Sequence, residues 1–250
     1  MLTAKRHDII IQQLKKKHLV TVNELIELTD ASPATIRRDL TDLEEKGLLN
    51  RVHGGASLPQ PIQHEYSYSE KEHKQTEAKK RIAELASSIV QHQHCIYLDA
   101  GSTTYEMIPY LKDKNVTVVT NGLNIVTRLN QYAIEAYLIG GKVKSKTQAL
   151  IGANAIKTLD SFYFDAVFIG TNAIDLINGY QTPDPEEAAI KNKALKKSKK
   201  AYIVADQSKL KQNSFAKIAS LNEATLIIDE IDQSDLTQLK ENTNVLVVES

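Results

Sequence analysis

Three observations predict an α/β protein in two parts. Residues 1–57 place apolar side chains at helical spacing with little strand signal. From residue 76 onward, short apolar runs of strand type alternate with helical stretches, the pattern of a mainly parallel sheet covered by helices on both faces. Between them, residues 58–75 begin Leu58-Pro59-Gln60-Pro61 and then alternate Tyr, Glu and His without a stable apolar face, which reads as a linker.

The first helix is expected over residues 4–17. Ile10 and Leu14 stand four apart, Ile11 adjoins them, and Lys15, Lys16 and Lys17 close the last turn in favour of the helix dipole. Val20-Thr21-Val22 is a β-branched break, and Asn23 is a good N-cap for a second helix reaching Thr29. In the next break Ser32 suits an N-cap and Pro33 the first helical position, so a third helix runs on to Lys46 with Gly47 placed to end it.

At about 100° per residue, Ile36, Leu40 and Leu43 of that helix share one stripe and form its core face. Ala34, Arg37, Arg38 and Thr41 lie opposite, while Asp39 and Asp42 turn to the flank. A short helix, a tight turn and a second helix showing arginine and threonine outward describe a helix-turn-helix. Residues 48–55 alternate as a small hairpin, with Gly54 and Gly55 permitting its turn, which adds a wing. The reading places Ser32, Ala34, Thr35, Arg37, Arg38 and Thr41 at a major groove, and Arg51 and His53 at backbone or minor groove. A solvated turn is an equal reading for His53. One winged helix offers little contact area, so a homodimer or homotetramer on paired half-sites is expected.

In the second part, Ile82, Leu85, Ala86 and Ile89 mark a helix. Strands are expected over 95–98, 116–119, 136–139, 166–169, 202–205, 225–228 and 245–248. Cys95 opens the first of them and reads as a small buried residue. Ligands of open α/β sheets bind beyond the carboxyl ends of the strands. Those ends read Asp99-Ala100-Gly101-Ser102-Thr103-Thr104, Thr120-Asn121-Gly122, Gly140-Gly141-Lys142, Gly170-Thr171-Asn172 and Asp206-Gln207-Ser208-Lys209. In Gly101-Ser102-Thr103-Thr104 a glycine admits close backbone approach, and hydroxyls with helix-start N–H groups suit a phosphate. An ordinary capped helix is the plainer reading. Thr182 or Asp184 could cap a later helix in which Glu187 and Lys191, at i and i+4, could form a simple ion pair. Lysines from Lys193 to Lys200 read as a solvated helix face.

Composition bounds the function. The chain has 250 residues, 42% hydrophobic and 25% charged, with 31 basic and 31 acidic side chains. Net neutrality argues against indiscriminate coating of nucleic acid. Even residues 1–57 hold nine lysines and arginines against eight carboxylates, so attraction to DNA would rest on placement. The single cysteine excludes an intrachain disulfide and argues against a cysteine-based zinc site. No metal site, cofactor or catalytic histidine pattern stands out. Absence of a signal-like start or long apolar run predicts a cytoplasmic protein with no membrane partner.

Three pieces of the first part, Thr35-Ile36-Arg37-Arg38-Asp39-Leu40, Leu43-Glu44-Glu45-Lys46-Gly47 and Arg51-Val52-His53-Gly54-Gly55-Ala56, together resemble the DeoR-type winged helix-turn-helix. The strand-end pieces, with Ile169-Gly170-Thr171-Asn172-Ala173 and Thr182-Pro183-Asp184-Pro185-Glu186-Glu187-Ala188, resemble the DeoR C-terminal sensor domain. Within that family the chain is most similar to lactose- and fructose-operon repressors of Gram-positive bacteria. The resemblance implies a repressor of sugar metabolism that binds operator double-stranded DNA and is released by a phosphorylated sugar. Fructose-1-phosphate is the first candidate, with tagatose-6-phosphate open. It also implies a sensor fold similar to ribose-5-phosphate isomerase, with Gly101, Ser102, Thr103 and Thr104 as the phosphate loop. Asp99, Asn121, Gly141, Thr171, Glu187 and Lys191 are implied for the rest of the pocket. Relatives often carry an arginine after the Gly140-Gly141 pair; here lysines stand at 142, 144 and 146, which lack bidentate geometry. Two alternatives remain at this level: an activator, and a sugar-phosphate isomerase using Asp99, Asp206, Glu187 and Lys191.

Overall fold

The computed structural model describes residues 2–17, 19–52, 54–58 and 64–248. The chain divides into two compact units, residues 1–61 and 62–250.

In the first unit α1 (Thr3–Lys17) leads to β1 (Leu19–Thr21), α2 (Val22–Thr29), α3 (Pro33–Glu45), β2 (Asn50–Val52) and β3 (Gly55–Ser57). The β-branched break is therefore a strand, and it pairs antiparallel with β3 in a sheet of order β1-β3-β2. Thr21, not Asn23, caps α2. Its hydroxyl accepts from the Glu24 N–H while Glu24 reaches back to the Thr21 N–H. Such a reciprocal box satisfies two orphan donors, which a cap one residue further on would not. Ser32 caps α3 with Pro33 in its first turn, as expected. Ile10, Leu14, Leu25, Ile36, Leu40 and Leu43 close a small core.

Asp39 departs from its expected flank position. It is 2% exposed and receives Arg6 at 2.7 and 3.0 Å and His7 at 3.3 Å. Burial opposes its charge, but the Arg6 fork and His7 outweigh that and hold the carboxyl below its ordinary value. Phase angle alone put Asp39 at the edge; the packing of α1 against α3 encloses it.

Gly55 illustrates a backbone constraint. It pairs with Thr21, and a Cβ there would stand 2.0 Å from the Val20 carbonyl oxygen. Gly55→Ala should therefore push β1 and β3 apart, at a cost of about 1–3 kcal/mol. Thermal unfolding should show the first unit melting several degrees lower; an unchanged midpoint would contradict this packing.

The second unit is built on seven parallel strands: β4 (Cys95–Leu98), β5 (Thr117–Thr120), β6 (Glu135–Leu138), β9 (Phe164–Gly170), β12 (Ser198–Ala205), β14 (Thr225–Ile228) and β15 (Val245–Val247). A ribbon of β7 (Lys142–Lys144) and β8 (Ala149–Ile151), and a small sheet of β10 (Ala173–Asp175), β11 (Gly179–Thr182) and β13 (Ala216–Ala219), sit beside the main sheet. Its helices are α4 (Tyr68–Glu72), α5 (Thr76–Ser88), α6 (Ser102–Met107), α7 (Leu123–Gln131), α8 (Ala153–Leu159), α9 (Pro185–Lys196) and α10 (Gln233–Lys240).

Alternating strand residues feed two cores. Ile96, Leu98 and Phe168 pack with α5, α6 and α7 on one face; Tyr97, Val167 and Ile169 pack with α8 and α9 on the other. Strand order is β15-β14-β12-β9-β4-β5-β6. The chain thus moves outward from β4 in one direction through β6 and resumes at β9 in the other. The switch point between β4 and β9 is where an open sheet of this kind leaves a crevice.

Three further expectations are corrected. Cys95 is exposed, because it starts β4 at the amino-terminal rim of the sheet, before the strand is covered. Lys199 and Lys200 belong to β12, so the lysine run is not one helix face. The stretch read as linker contains α4, whose Tyr68 is buried and packs edge-on against Tyr105 at 6.1 Å.

Candidate functional site

The outward face of α3 carries Ala34, Arg37 and Arg38, all exposed, beside exposed Ser32 and half-buried Thr35 and Thr41. Ser32 and Thr35 share a hydroxyl hydrogen bond at 2.9 Å, and Thr41 donates to the Arg37 carbonyl. No carboxylate pairs with Arg37 or Arg38 among the described residues. Arg51 differs from its expected position: its guanidinium donates to Thr41 Oγ1 at 3.1 Å and its N–H to Glu44. It ties the wing to α3 instead of standing free. His53 lies outside the described residues. The face is a helix of groove-fitting width with two guanidinium groups that pair with nothing among the described residues.

A cleft opens at the sheet switch point. Eight of the ten nominated residues line it: Asp99, Gly101, Ser102, Thr103, Asn121, Thr171, Glu187 and Lys191. Thr104 is buried behind them, and Gly141 lies off the cleft against Ile151 and Ala155.

Asp99 organises the loop. Its Oδ1 accepts the Gly101 N–H at 3.0 Å and the Thr104 hydroxyl at 2.9 Å; Oδ2 accepts the Gly170 N–H at 2.9 Å and the Lys191 ammonium. Lys191 also donates to the Gly170 carbonyl at 3.0 Å. The ends of β4 and β9 are thereby clamped together. A Cβ at position 101 would stand 2.7 Å from Asp99 Oδ1, so only glycine lets the carboxylate cap this turn. Ser102 and Thr103 keep hydroxyls with no hydrogen bond among the described residues, and the first turn of α6 leaves its N–H groups unpaired within the helix.

Glu187 and Lys191 do not pair with each other. Glu187 accepts the Thr147 hydroxyl at 2.6 Å and the Lys144 ammonium at 3.1 Å, because Lys191 is drawn to Asp99. Lys144 also meets Glu65 and Asp184, each at 2.6 Å. Burial works against its charge, but Glu187, Asp184 and Glu65 raise its pKa above the ordinary value. Among the three lysines after Gly141, Lys144 is thus already neutralised by carboxylates. Asn121 accepts the Tyr97 hydroxyl at 2.9 Å and donates to Leu150, and the Thr171 hydroxyl is spent on the Ala173 and Gln181 carbonyls at the open end of the β10–β11 pair.

Charge in the cleft comes mostly from residues the motifs did not indicate. Lys71, Lys74 and Lys79 line it with Lys191 and with Lys209 of the Asp206–Lys209 strand end, joined by Tyr66 and Tyr68. Lys79, 5% exposed, is pushed down to about 8 by burial, an effect that Asp206 opposes and Lys209 reinforces. A signal existed: Lys79 is in phase with buried Ile82, Ala83 and Ala86 on α5. A lysine inside an apolar stripe is costly unless it serves something. Lys71 and Lys74 had no comparable signal. For acid–base work the nominated carboxylates are poorly placed, since Asp99 is held by four donors and Asp206 by the Ser208 N–H and hydroxyl.

A model of the DeoR C-terminal sensor domain matches residues 74–230, and one of the DeoR-like helix-turn-helix domain matches residues 6–61. The chain belongs to the DeoR family. It is similar to the uncharacterized HTH-type transcriptional regulator FruR of Bacillus subtilis, with 45% identity over 99% of each chain. It is also 30% identical to the lactose phosphotransferase system repressor of Staphylococcus aureus, over 92% of this chain and 93% of the other. Among solved structures it is similar to ribose-5-phosphate isomerase A of Methanocaldococcus jannaschii, with a TM-score of 0.39 and 17% identity over 54% of each chain. This DeoR-family member is a DNA-binding transcriptional regulator and not an enzyme. None of its helices is long and apolar enough to cross a membrane among the described residues.

Proposed function

We propose that this DeoR-family regulator represses a sugar-utilisation operon and leaves operator DNA when a phosphorylated sugar enters the cleft between β4 and β9. The observation that carries this reading is the cleft's chemistry. Unspent Ser102 and Thr103 hydroxyls, the first turn of α6 and several ammonium groups converge at the switch point of the sheet. That set suits a phosphate dianion, and the neighbouring amides and carboxylates suit sugar hydroxyls. Repression is supported by the lactose phosphotransferase system repressor, a relative along nearly the whole chain. Fructose-1-phosphate is the first candidate effector, on the resemblance to fructose-operon repressors.

In this reading Ser32, Ala34, Thr35, Arg37, Arg38 and Thr41 face the major groove, and Arg51 steadies the wing against them. Ser102 and Thr103 with Lys79 take the phosphate; Asp99, Thr104 and Lys191 hold the loop that presents them. The protein works in the cytoplasm as a homodimer or homotetramer, which doubles the contact area of a small winged helix.

The test is a thermal-shift panel of phosphosugars, followed by operator mobility shifts with each hit. A ligand that binds only the folded state raises the melting temperature. One phosphosugar should do so and also release operator DNA. If none shifts the protein, or if the hit leaves the operator complex intact, the reading fails.

A further inference from the structure

The main sheet ends on one side at β6. Its odd-numbered residues bond to β5, as the Ile139 N–H does to the Thr120 carbonyl at 2.9 Å. Ala136, Leu138 and Gly140 therefore turn their N–H and C=O groups away from the sheet, where they meet no partner among the described residues. Soluble proteins guard such an edge with lysine, proline, a bulge or a covering element. The stretch Ala136-Tyr137-Leu138-Ile139-Gly140 carries neither charge nor proline.

Its side chains are as open as its backbone. Tyr137 is 48% exposed on one face and Leu138 37% on the other. Tyr137 packs against Phe162 at 5.8 Å, next to exposed Tyr163. At the opposite edge, β15 exposes only Leu246 among its large apolar side chains.

The β6 edge is also self-complementary. Consider antiparallel pairing with a second copy about a two-fold axis at Leu138. The outward groups of Leu138 then face those of the same residue, and Ala136 faces Gly140, so the two smallest residues of the stretch meet. A Cβ at Gly140 would have only Thr158 Oγ1 near it, at 4.0 Å, which leaves the backbone open to approach. Tyr137 falls opposite Ile139 on the other face. Glu135 and Lys142 bracket the stretch, both exposed and in no ion pair among the described residues. The axis brings Glu135 of each copy to the end that carries Lys142 of the other, so opposite charges meet at both ends. A free edge alone would accept any extended chain; matched small residues and opposite charges about one axis select a second copy.

We propose that two copies of this chain join through β6, antiparallel, so that their main sheets run on as one across a two-fold axis at Leu138. This rests on the reading of the protein as a homodimer or homotetramer and gives that assembly its surface.

The experiment is sedimentation velocity on the full chain, with Leu138→Lys and Leu138→Glu. On a two-fold axis each substitution faces its own copy. Each variant alone sets like charges together and should raise the dissociation constant of this contact about 100-fold. Mixed in equal amounts, the two variants set ammonium against carboxylate and should recover the association. Ala136→Pro removes an outward N–H that β5 does not use and should weaken the contact as well. Circular dichroism and a retained thermal shift with the phosphosugar hit establish that the variants fold, since no residue of β6 lines the cleft. Operator affinity should fall with the association.

If the unsubstituted chain associates and both Leu138 variants associate equally well, this inference alone is overturned. It is likewise overturned if each variant loses the association and the mixture does not recover it. A monomeric unsubstituted chain overturns it together with the homo-oligomer reading, while the effector reading is decided separately by the phosphosugar panel.

Discussion

Replacing Arg37 and Arg38 together by alanine should weaken operator binding about 100-fold or more. A bidentate arginine–guanine pair is worth about 1–3 kcal/mol, and a phosphate contact adds a salt-dependent share. Both side chains are exposed on α3, and neither has a carboxylate partner among the described residues, so the double variant should unfold at nearly the same temperature. The single variants separate the roles. Loss of a base-reading arginine relaxes sequence preference, whereas loss of a phosphate-binding one lowers affinity for all sequences and reduces the salt slope by about 1. Fluorescence anisotropy across salt concentrations measures both. Affinity and slope equal to those of the unsubstituted protein would remove α3 from the interface.

The second large effect concerns Lys79 and pH. Burial, opposed by Asp206 and Glu106 and reinforced by Lys209 and Lys71, brings this lysine down to about 8. A phosphate dianion beside it favours the charged form and raises its pKa on binding. Above pH 8 the free protein has lost the proton that the complex needs, so binding must take one up, and affinity falls as pH rises. The limiting slope for one proton is about tenfold per pH unit. Below about pH 6 the phosphate loses its second charge, so affinity should peak between these limits. Lys79→Met removes the charge while keeping the length of the side chain. It should weaken fructose-1-phosphate about 100-fold and flatten the alkaline limb, with little loss of thermal stability, because burying a methionine costs less than burying an ammonium. Calorimetric titrations from pH 6 to 9.5 would show this. A wild-type affinity that is constant from pH 7 to 9.5 would exclude Lys79 as a phosphate ligand.

Much of the architecture was legible in the residues. Ile36, Leu40 and Leu43 announced α3 and its buried face, and Ser32-Pro33 its start. The apolar runs announced each parallel strand to within a few residues, since strands covered on both faces need continuous apolar sequence. Gly101 follows β4 as the N-cap of α6, with Ser102, Thr103 and Thr104 in the first turn, and the first three of the four line the cleft. The misreadings share one cause. Asp39 was assigned by helical phase, but Arg6, far from it in sequence, reached it through packing. Glu187 and Lys191 were paired by spacing, but each found a stronger partner from another element. Lys71 lay in a stretch with no periodic signal and reached the cleft only because the ribbon holds that stretch against the sheet.

The sequence by itself determined the two-part plan, the helix-turn-helix with its wing, the run of parallel strands and the polar loops at their ends. Those features depend on turn chemistry and hydrophobic period, which act over a few neighbouring residues and can be read locally. Tertiary structure decided which charges meet: Arg6 with Asp39, Lys191 with Asp99, Lys144 with its three carboxylates, and a cluster of lysines around one cleft. Strand order and packing bring those groups together across many intervening positions. An ionic side chain settles wherever its burial is best compensated, and no local pattern records where that will be.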